Sequence, residues 1–379
     1  MNACRSKVRR ILSILIVLFS LSVLAKERPS VVFVNPGVST ATHHTGGFWF
    51  NVASFMQAAA DDLNIDLEVL YAERNHIALH RLVSEVSSRS NKPDYLLVVN
   101  EKLQGLKQLK IALAANIKTF MVLNTLSPDE VLRFGGPRDK HPNWIGSLVP
   151  DNYFAGKQIA RAVIQAAQKL EINAGRKVEI IGLAGDFATP ASLQRTQALE
   201  DAVLDHPNIE LKQIFTARWS RRESKEITFR AFARYPNISA IWAANDPIAL
   251  GAMEAAIESS KIPGKKVIIG GLNWDKPALD KIQDGSLLIS MGGHFMVGGW
   301  AIVMLYDYHH GHDFGPENPQ VKMRIFDKIE QKNVGKYLNH FSNKDWGKID
   351  FSLFSKIKNP AIKEYSFTLK EIMTQLDND

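Results

Sequence analysis

The chain has 379 residues, 45% of them hydrophobic and 22% charged, which excludes a disordered or low-complexity protein. The formal charge of +7 looks basic, yet Arg5, Lys7, Arg9 and Arg10 lie in the first 25 residues with no acid among them. Taking those four cations from +7 leaves +3, so composition gives no support for nucleic-acid binding. The length suits two or three domains, or one two-lobed unit in which each lobe buries a full core.

The basic stretch at Arg5–Arg10 is followed by an apolar run, ILSILIVLFSLSVL, and then by Val23-Leu24-Ala25 with small residues at the −3 and −1 positions. This is the pattern of an export signal, residues 1–25, cleaved after Ala25. The run of about 14 residues is shorter than the roughly 20 a spanning helix needs. Cys4 is the only cysteine and would leave with the signal, so disulfides, thiolate metal sites and a cysteine nucleophile are not expected. The bacterial periplasm is the expected compartment.

Beyond the signal, strand and helix patterns alternate. Short runs rich in Val, Ile and Leu at 31–34, 67–71, 95–99 and 120–123 predict strands. Between them Val52, Phe55, Met56, Ala59 and Leu63 fall on one helical face, and Leu106, Leu109, Ile111 and Leu113 do so more loosely. The alternation restarts at 144–148 and continues through 178–183, 209–214, 240–243 and 267–270. Near-continuous apolar strands joined by helices imply parallel sheets covered on both faces, hence an α/β protein of two doubly wound lobes. The Pro- and Gly-containing stretch 127–143 (SPDEVLRFGGPRDKHPN) is expected to divide them. The expected lobes are 26–126 plus 291–322 and 127–290 plus 323–379, with residues 331–379 as an extension of the second. Ligands of such sheets bind outside the carboxyl ends of the strands, so the loops that follow strands are where site residues belong.

A small polar solute with apolar faces and polar edges needs flat aromatics for the one and amides, carboxylates or guanidinium for the other. Asn100, Asn124, Asn245 and Asn273 stand at the ends of four apolar strands, Arg195 at a helix start and Trp219 after a strand. Asparagine also caps helices and tolerates turns, so it is the set that points to a ligand. His294, in GGHF close to a lobe crossover, could reach the same cleft. His309, His310 and His312 follow an apolar helix and read as its end; no metal site or cofactor is expected. His43-His44 sit in the first loop. No GxSxG, HExxH or phosphate-binding P-loop motif occurs, and an enzyme is not expected.

The segments containing Phe48-Trp49, WIGSLVPDNYFAGKQIARAVI, IIGLAGDFATPASLQRTQALEDAV, AIWAANDPIALGAMEAA and VIIGGLNWDKPALDKIQDGSLLISMGGHF together resemble the type I periplasmic sugar-binding proteins, the ribose- and galactose-binding group. The resemblance runs from Pro29 to Phe326. It implies two lobes joined by three crossovers, with a ligand held in the cleft and closure by hinge motion. It places Phe48 and Trp49 on an aromatic pair that packs against sugar, Asn100 after the third strand, Arg195 on a ligand arginine, Trp219 on a stacking aromatic and Asn245 on the Asn of an Asn-Asp pair. Asp246 would cap the helix or stiffen its loop. Asn124-Thr125 stand where the family often has Asp-Arg, and Asn273 where it has Asp, a change that removes acceptors and repels a phosphorylated or carboxylated sugar less. The resemblance further implies a monomer that delivers its solute to an ABC importer permease in the inner membrane. The alternative partner is a sensor kinase or chemoreceptor, as for proteins that bind a furanosyl signal.

Overall fold

The computed structural model describes residues 28–40, 43, 45–316, 318–342 and 344–378; the expected export segment, Cys4 and His44 lie outside the described residues. β1 (Ser30–Asn35) leads to α1 (Phe48–Asp62), whose buried Val52, Phe55, Met56 and Ala59 recur every three or four residues as a core-facing stripe requires. β2 (Asp66–Tyr71), α2 (His76–Ser87), β3 (Tyr95–Val98), α3 (Gly105–Ala114), β4 (Lys118–Val122), α4 (Pro128–Phe134) and β5 (Trp144–Pro150) follow. Their sheet has the order β11-β5-β4-β3-β1-β2, where β11 (Gln320–Met323) returns from far along the chain, and every pairing in it is parallel.

The second lobe starts with α5 (Asn152–Ala174). It continues through β6 (Val178–Ala184), α6 (Pro190–Leu204), β7 (Ile209–Thr216), α7 (Arg221–Arg234), β8 (Ile238–Ala243), α8 (Asp246–Glu258), β9 (Ile268–Leu272), α9 (Lys276–Gln283) and β10 (Ile289–Gly292). Its sheet has the order β12-β10-β9-β8-β6-β7, and only β12 (Asp327–Ile329) pairs antiparallel. Between β10 and β11 the chain returns to the first lobe as α10 (Val297–His309), which packs on α1. The lobes are therefore joined by three crossovers, at 150–152, 292–294 and 323–327. Gly293 makes the second one possible, with φ +97°, a left-handed conformation open to glycine at no steric cost.

Two expected boundaries are corrected. Stretch 127–143 does not divide the lobes, because β5 pairs with β4 (Met121 opposite Ser147) and completes the first sheet. Its residues are buried on both faces like those of β4, so its place is an interior position of that sheet. Within 127–143, Ser127 and Glu130 form a reciprocal capping box with Pro128 at the first helical position, which makes α4 rather than a linker. The division falls after Pro150 instead.

The second correction concerns the C-terminal extension. α11 (Val334–Phe341) does sit on the second lobe, its Tyr337 ring 5.0 Å from that of Trp274. From Trp346 onward the chain packs on the first lobe. Trp346 and Phe351 meet Phe55 of α1 at 5.5 and 5.2 Å, and Phe354 and Phe367 meet Trp300 of α10 at 4.8 and 4.7 Å. Asp307, fully buried on α10, fixes the register of this layer. It accepts hydrogen bonds from the Ser355 hydroxyl, from Lys356 N at 2.8 Å and Ile357 N at 3.2 Å, and from the Tyr365 hydroxyl at 2.8 Å. A buried carboxylate needs such donors, and leaving one unmade would cost more than the bond contributes. α12 (Leu369–Asn378) closes the described chain. Among the described residues no helix is long and apolar enough to cross a membrane.

Phe351→Ala should lower the unfolding free energy by about 3–5 kcal/mol in urea denaturation, because the ring is wholly buried between two aromatic helices. A loss under about 1 kcal/mol would mean that the extension is not part of the core.

Candidate ligand-binding site

Parallel pairing puts the carboxyl ends of both sheets on facing edges, and a cleft of about 590 Å³, open mouth included, lies between them. The first lobe contributes Thr45, Phe48 and Trp49 from the loop after β1 and the first turn of α1, Arg74 after β2, Glu101 after β3, and Leu123 and Asn124 after β4. The second contributes Asn152 at the start of α5, Thr189, Ala191 and Arg195 from the start of α6, Trp219 after β7, Asn245 after β8 and Asn273 after β9. His294 lines the cleft from the crossover. Eight of the nine sequence candidates thus line one cavity.

Both indoles stand where glycine leaves room for them. A Cβ on Gly37 would fall 2.0 Å from Trp49 Cβ, and one on Gly185 would fall 2.2 Å from Trp219 Cζ2, so a side chain at either position would evict the ring. Trp219 is also held from its polar edge, its indole N–H donating to Asp186 Oδ2 at 2.7 Å. Burial alone would raise the Asp186 pKa. The N–H groups of Thr189 and Ala188, the Thr189 hydroxyl and the Trp219 indole outweigh that and hold it below the ordinary carboxylate value.

Arg195 is almost completely buried. Its Nε donates to Asn152 Oδ1 and its Nη1 to Ala244 O, both at 2.9 Å, and burial pushes its pKa down to about 9. His294 stacks on Phe48 at 4.4 Å and lies 4.7 Å from Phe326. Burial first, and then the positive Arg195, hold its pKa well below the ordinary value, so the ring is neutral at neutral pH. Its Nδ1 is buried without a hydrogen-bond partner.

Several polar groups in the cleft are also structural. Asn245 is the N-cap of α8, its Oδ1 accepting from Ile248 N at 3.0 Å. Asn124 Oδ1 accepts from Ala191 N at 3.1 Å, a hydrogen bond between the lobes. Asp246 stiffens the loops beneath the cleft by accepting from Asp275 N at 2.9 Å and from the Ser290 hydroxyl. Burial, and then the neighbouring Asp275, push its pKa well above the usual carboxylate range.

Asn100 is the candidate that does not reach the cavity. Fully buried, it accepts from Gly105 N at 2.8 Å and donates to Thr125 O and Glu130 Oε2, both at 3.0 Å, which ties the β3 and β4 loops together. The next residue, Glu101, takes the lining position and pairs with Arg74 at 3.0 Å. Sequence reasoning missed both. The available signal was a charged residue three positions past a strand end, in LYAER and VVNE. Of the histidines read as a helix end, His309 Nδ1 lies 3.2 Å from the Tyr95 hydroxyl and His310 Nδ1 lies 2.8 Å from Tyr306 O. Among the described residues no group of three or more His, Cys, Asp or Glu is arranged to hold a metal.

Two outcomes follow from these contacts. Asn245→Ala should cost about 1 kcal/mol in chemical denaturation through the lost cap. For His294 the folded pKa is depressed, so the unfolded chain takes up a proton near pH 6.5 that the folded chain refuses, and this contribution to stability is lost as pH falls. The stability difference between the native chain and His294→Gln should therefore move against the native chain by roughly 1.4 kcal/mol per pH unit below about 6.5. A difference that stays constant between about pH 7.5 and 5.5 would show that His294 titrates normally.

The family model described as periplasmic binding protein domain matches residues 37–313. A solved periplasmic sugar-binding protein from Pseudomonas fluorescens superposes with a TM-score of 0.81 at 32% identity, covering 91% of this chain and 99% of that one. The ribose import binding protein of Escherichia coli is 23% identical over 241 residues, 63% of this chain and 73% of that protein. The galactofuranose-binding protein of the same organism is 23% identical over 145 residues, and the match spans only 44% of its length. An ABC transporter solute-binding protein from Actinobacillus succinogenes with bound D-allose shares the fold, with a TM-score of 0.69 at 18% identity over 82% of this chain and 100% of that one. With its two parallel-sheet lobes and a domain match over most of its length, the chain belongs to the periplasmic binding protein family.

Proposed function

We propose that the protein captures a sugar or sugar-like solute between its lobes in the periplasm and delivers it to an ABC importer, without catalysing a reaction. The observation that carries this reading is the convergence of two indoles, three strand-end amides and a buried guanidinium on one cavity closed over by both lobes. Trp49 and Trp219 offer flat apolar faces to the sugar ring. Asn124, Asn245, Asn273, Arg195 and the Arg74–Glu101 pair supply donors and acceptors for its hydroxyls. The relatives, a ribose import binding protein and a galactofuranose-binding protein among them, support a sugar, and the D-allose complex of an ABC transporter component supports the importer. Nothing in the fold or in these relatives favours a sensor kinase or chemoreceptor as partner.

The mechanism is a population shift. The Asn124–Ala191 hydrogen bond exists only when the lobes meet, and Gly46 of the first loop lies against Pro247 and Asp275 of the second lobe. A solute touching both walls binds this closed arrangement better than an open one, and only that difference in affinity drives closure. The closed outer surface is then what the permease reads. The export segment 1–25, its removal after Ala25 and a monomeric state complete the proposal.

A thermal-shift screen of the purified protein against sugars, sugar acids and polyols tests it. A solute at 100 times its dissociation constant should add about 2.7 kcal/mol of stability. Trp219→Ala should weaken that solute on the order of 10-fold in a calorimetric titration. A protein that no sugar, sugar acid or polyol stabilises would sink the reading.

A further inference from the structure

The charge lining the cleft is unbalanced, and the imbalance sits at Arg195. The two protein acceptors of this buried guanidinium, the Asn152 amide and the Ala244 carbonyl, are neutral. Among the described residues no carboxylate pairs with it. A guanidinium carries five N–H groups, so three are left over. The rings of Phe326 and Trp219, with centroids 5.7 and 6.0 Å from Cζ, flank the guanidinium on the cleft wall. Burying a cation in this way is costly unless a counter-charge arrives.

The other charges of the cleft do not provide one. Glu101 is spent on Arg74 at 3.0 Å. Asp186, behind Trp219, is engaged by the indole, by two backbone N–H groups and by the Thr189 hydroxyl. Asp275 does not line the cavity, and it faces Lys344, which donates to Asn51 Oδ1 at 2.9 Å. At the β4 and β9 strand ends the lining groups are the amides of Asn124 and Asn273. The N-terminal ends of α5, α6 and α8, at Asn152, Thr189 and Asn245, add their partial positive charge to the same wall.

Resting on the sugar-capture reading above, we infer that the ligand is an anionic monosaccharide, a sugar acid whose carboxylate docks on Arg195. A planar carboxylate matches the fork of a guanidinium through two parallel N–H···O bonds, which the three remaining donors can supply. One uncompensated guanidinium balances one negative charge. That favours a carboxylate over a phosphate monoester, which carries nearly two at neutral pH. The ring hydroxyls then fall to the amides and to the Arg74–Glu101 pair.

The test is calorimetric titration of the purified protein with D-galacturonate, D-glucuronate and D-gluconate against D-galactose and D-glucose, with D-glucose 6-phosphate as the doubly charged arm. At least one acid should bind about 100-fold more tightly than its neutral parent. Arg195→Gln should erase that preference. Asn124→Asp keeps the acceptor for Ala191 N and adds one negative charge, and it should weaken the acid far more than the neutral sugar. If a neutral sugar binds as tightly as its acid, or the phosphate binds best, the carboxylate assignment is overturned and sugar capture stands. Failure of the acids, the neutral sugars and the phosphate alike overturns both.

Discussion

Parallel strand pairing is the constraint on which the rest of this molecule depends. When all strands of a sheet run the same way, each connection must travel back along a face as a helix, and every loop that follows a strand emerges on one edge. Two sheets of this kind, parallel but for the edge strand β12 and joined by three crossovers along a shared boundary, bring their loop-bearing edges face to face. The cavity is thus a consequence of topology, and the loops need only carry suitable side chains. The apolar strands supply stability on both faces, so the residues at their tips are free of packing duty.

Some tips are not wholly free, and this decides what the sequence could reveal. The alternation of apolar runs and helical stripes was legible, as was the idea that residues just past the strands gather in one place. Arg195, Trp219, Asn124, Asn245 and Asn273 were found by that rule, and Trp49 through the family resemblance. Asn100 obeyed it and failed, because an amide at a strand end can turn inward to bind backbone groups as easily as outward to bind a solute. Local sequence does not encode which way it turns; that depends on Glu130 and Gly105, which the fold brings to it. Glu101 and Arg74 went unnoticed for the complementary reason, since their partnership spans 27 positions of chain and exists only once β2 and β3 flank β1.

The lobe division shows a similar limit. A Pro- and Gly-bearing stretch reads as a connector, but proline at the first position of a helix and a reciprocal serine–glutamate cap are equally good reasons for those residues. Whether the strand that follows joins the sheet before it or the sheet after it is a question of register between distant segments, which period and composition do not carry. The extension was legible only as something that must pack, through its aromatic residues. Asp307, the carboxylate that orders it, looks unremarkable in sequence, since its four donors come from some fifty residues downstream.

That extension touches both halves of the molecule, by Tyr337 on Trp274 in one and by Trp346, Phe351 and Phe367 on α1 and α10 in the other. A segment seated on both halves couples them, so a change in their relative position has to be absorbed within that segment or at one of its two sets of ring contacts.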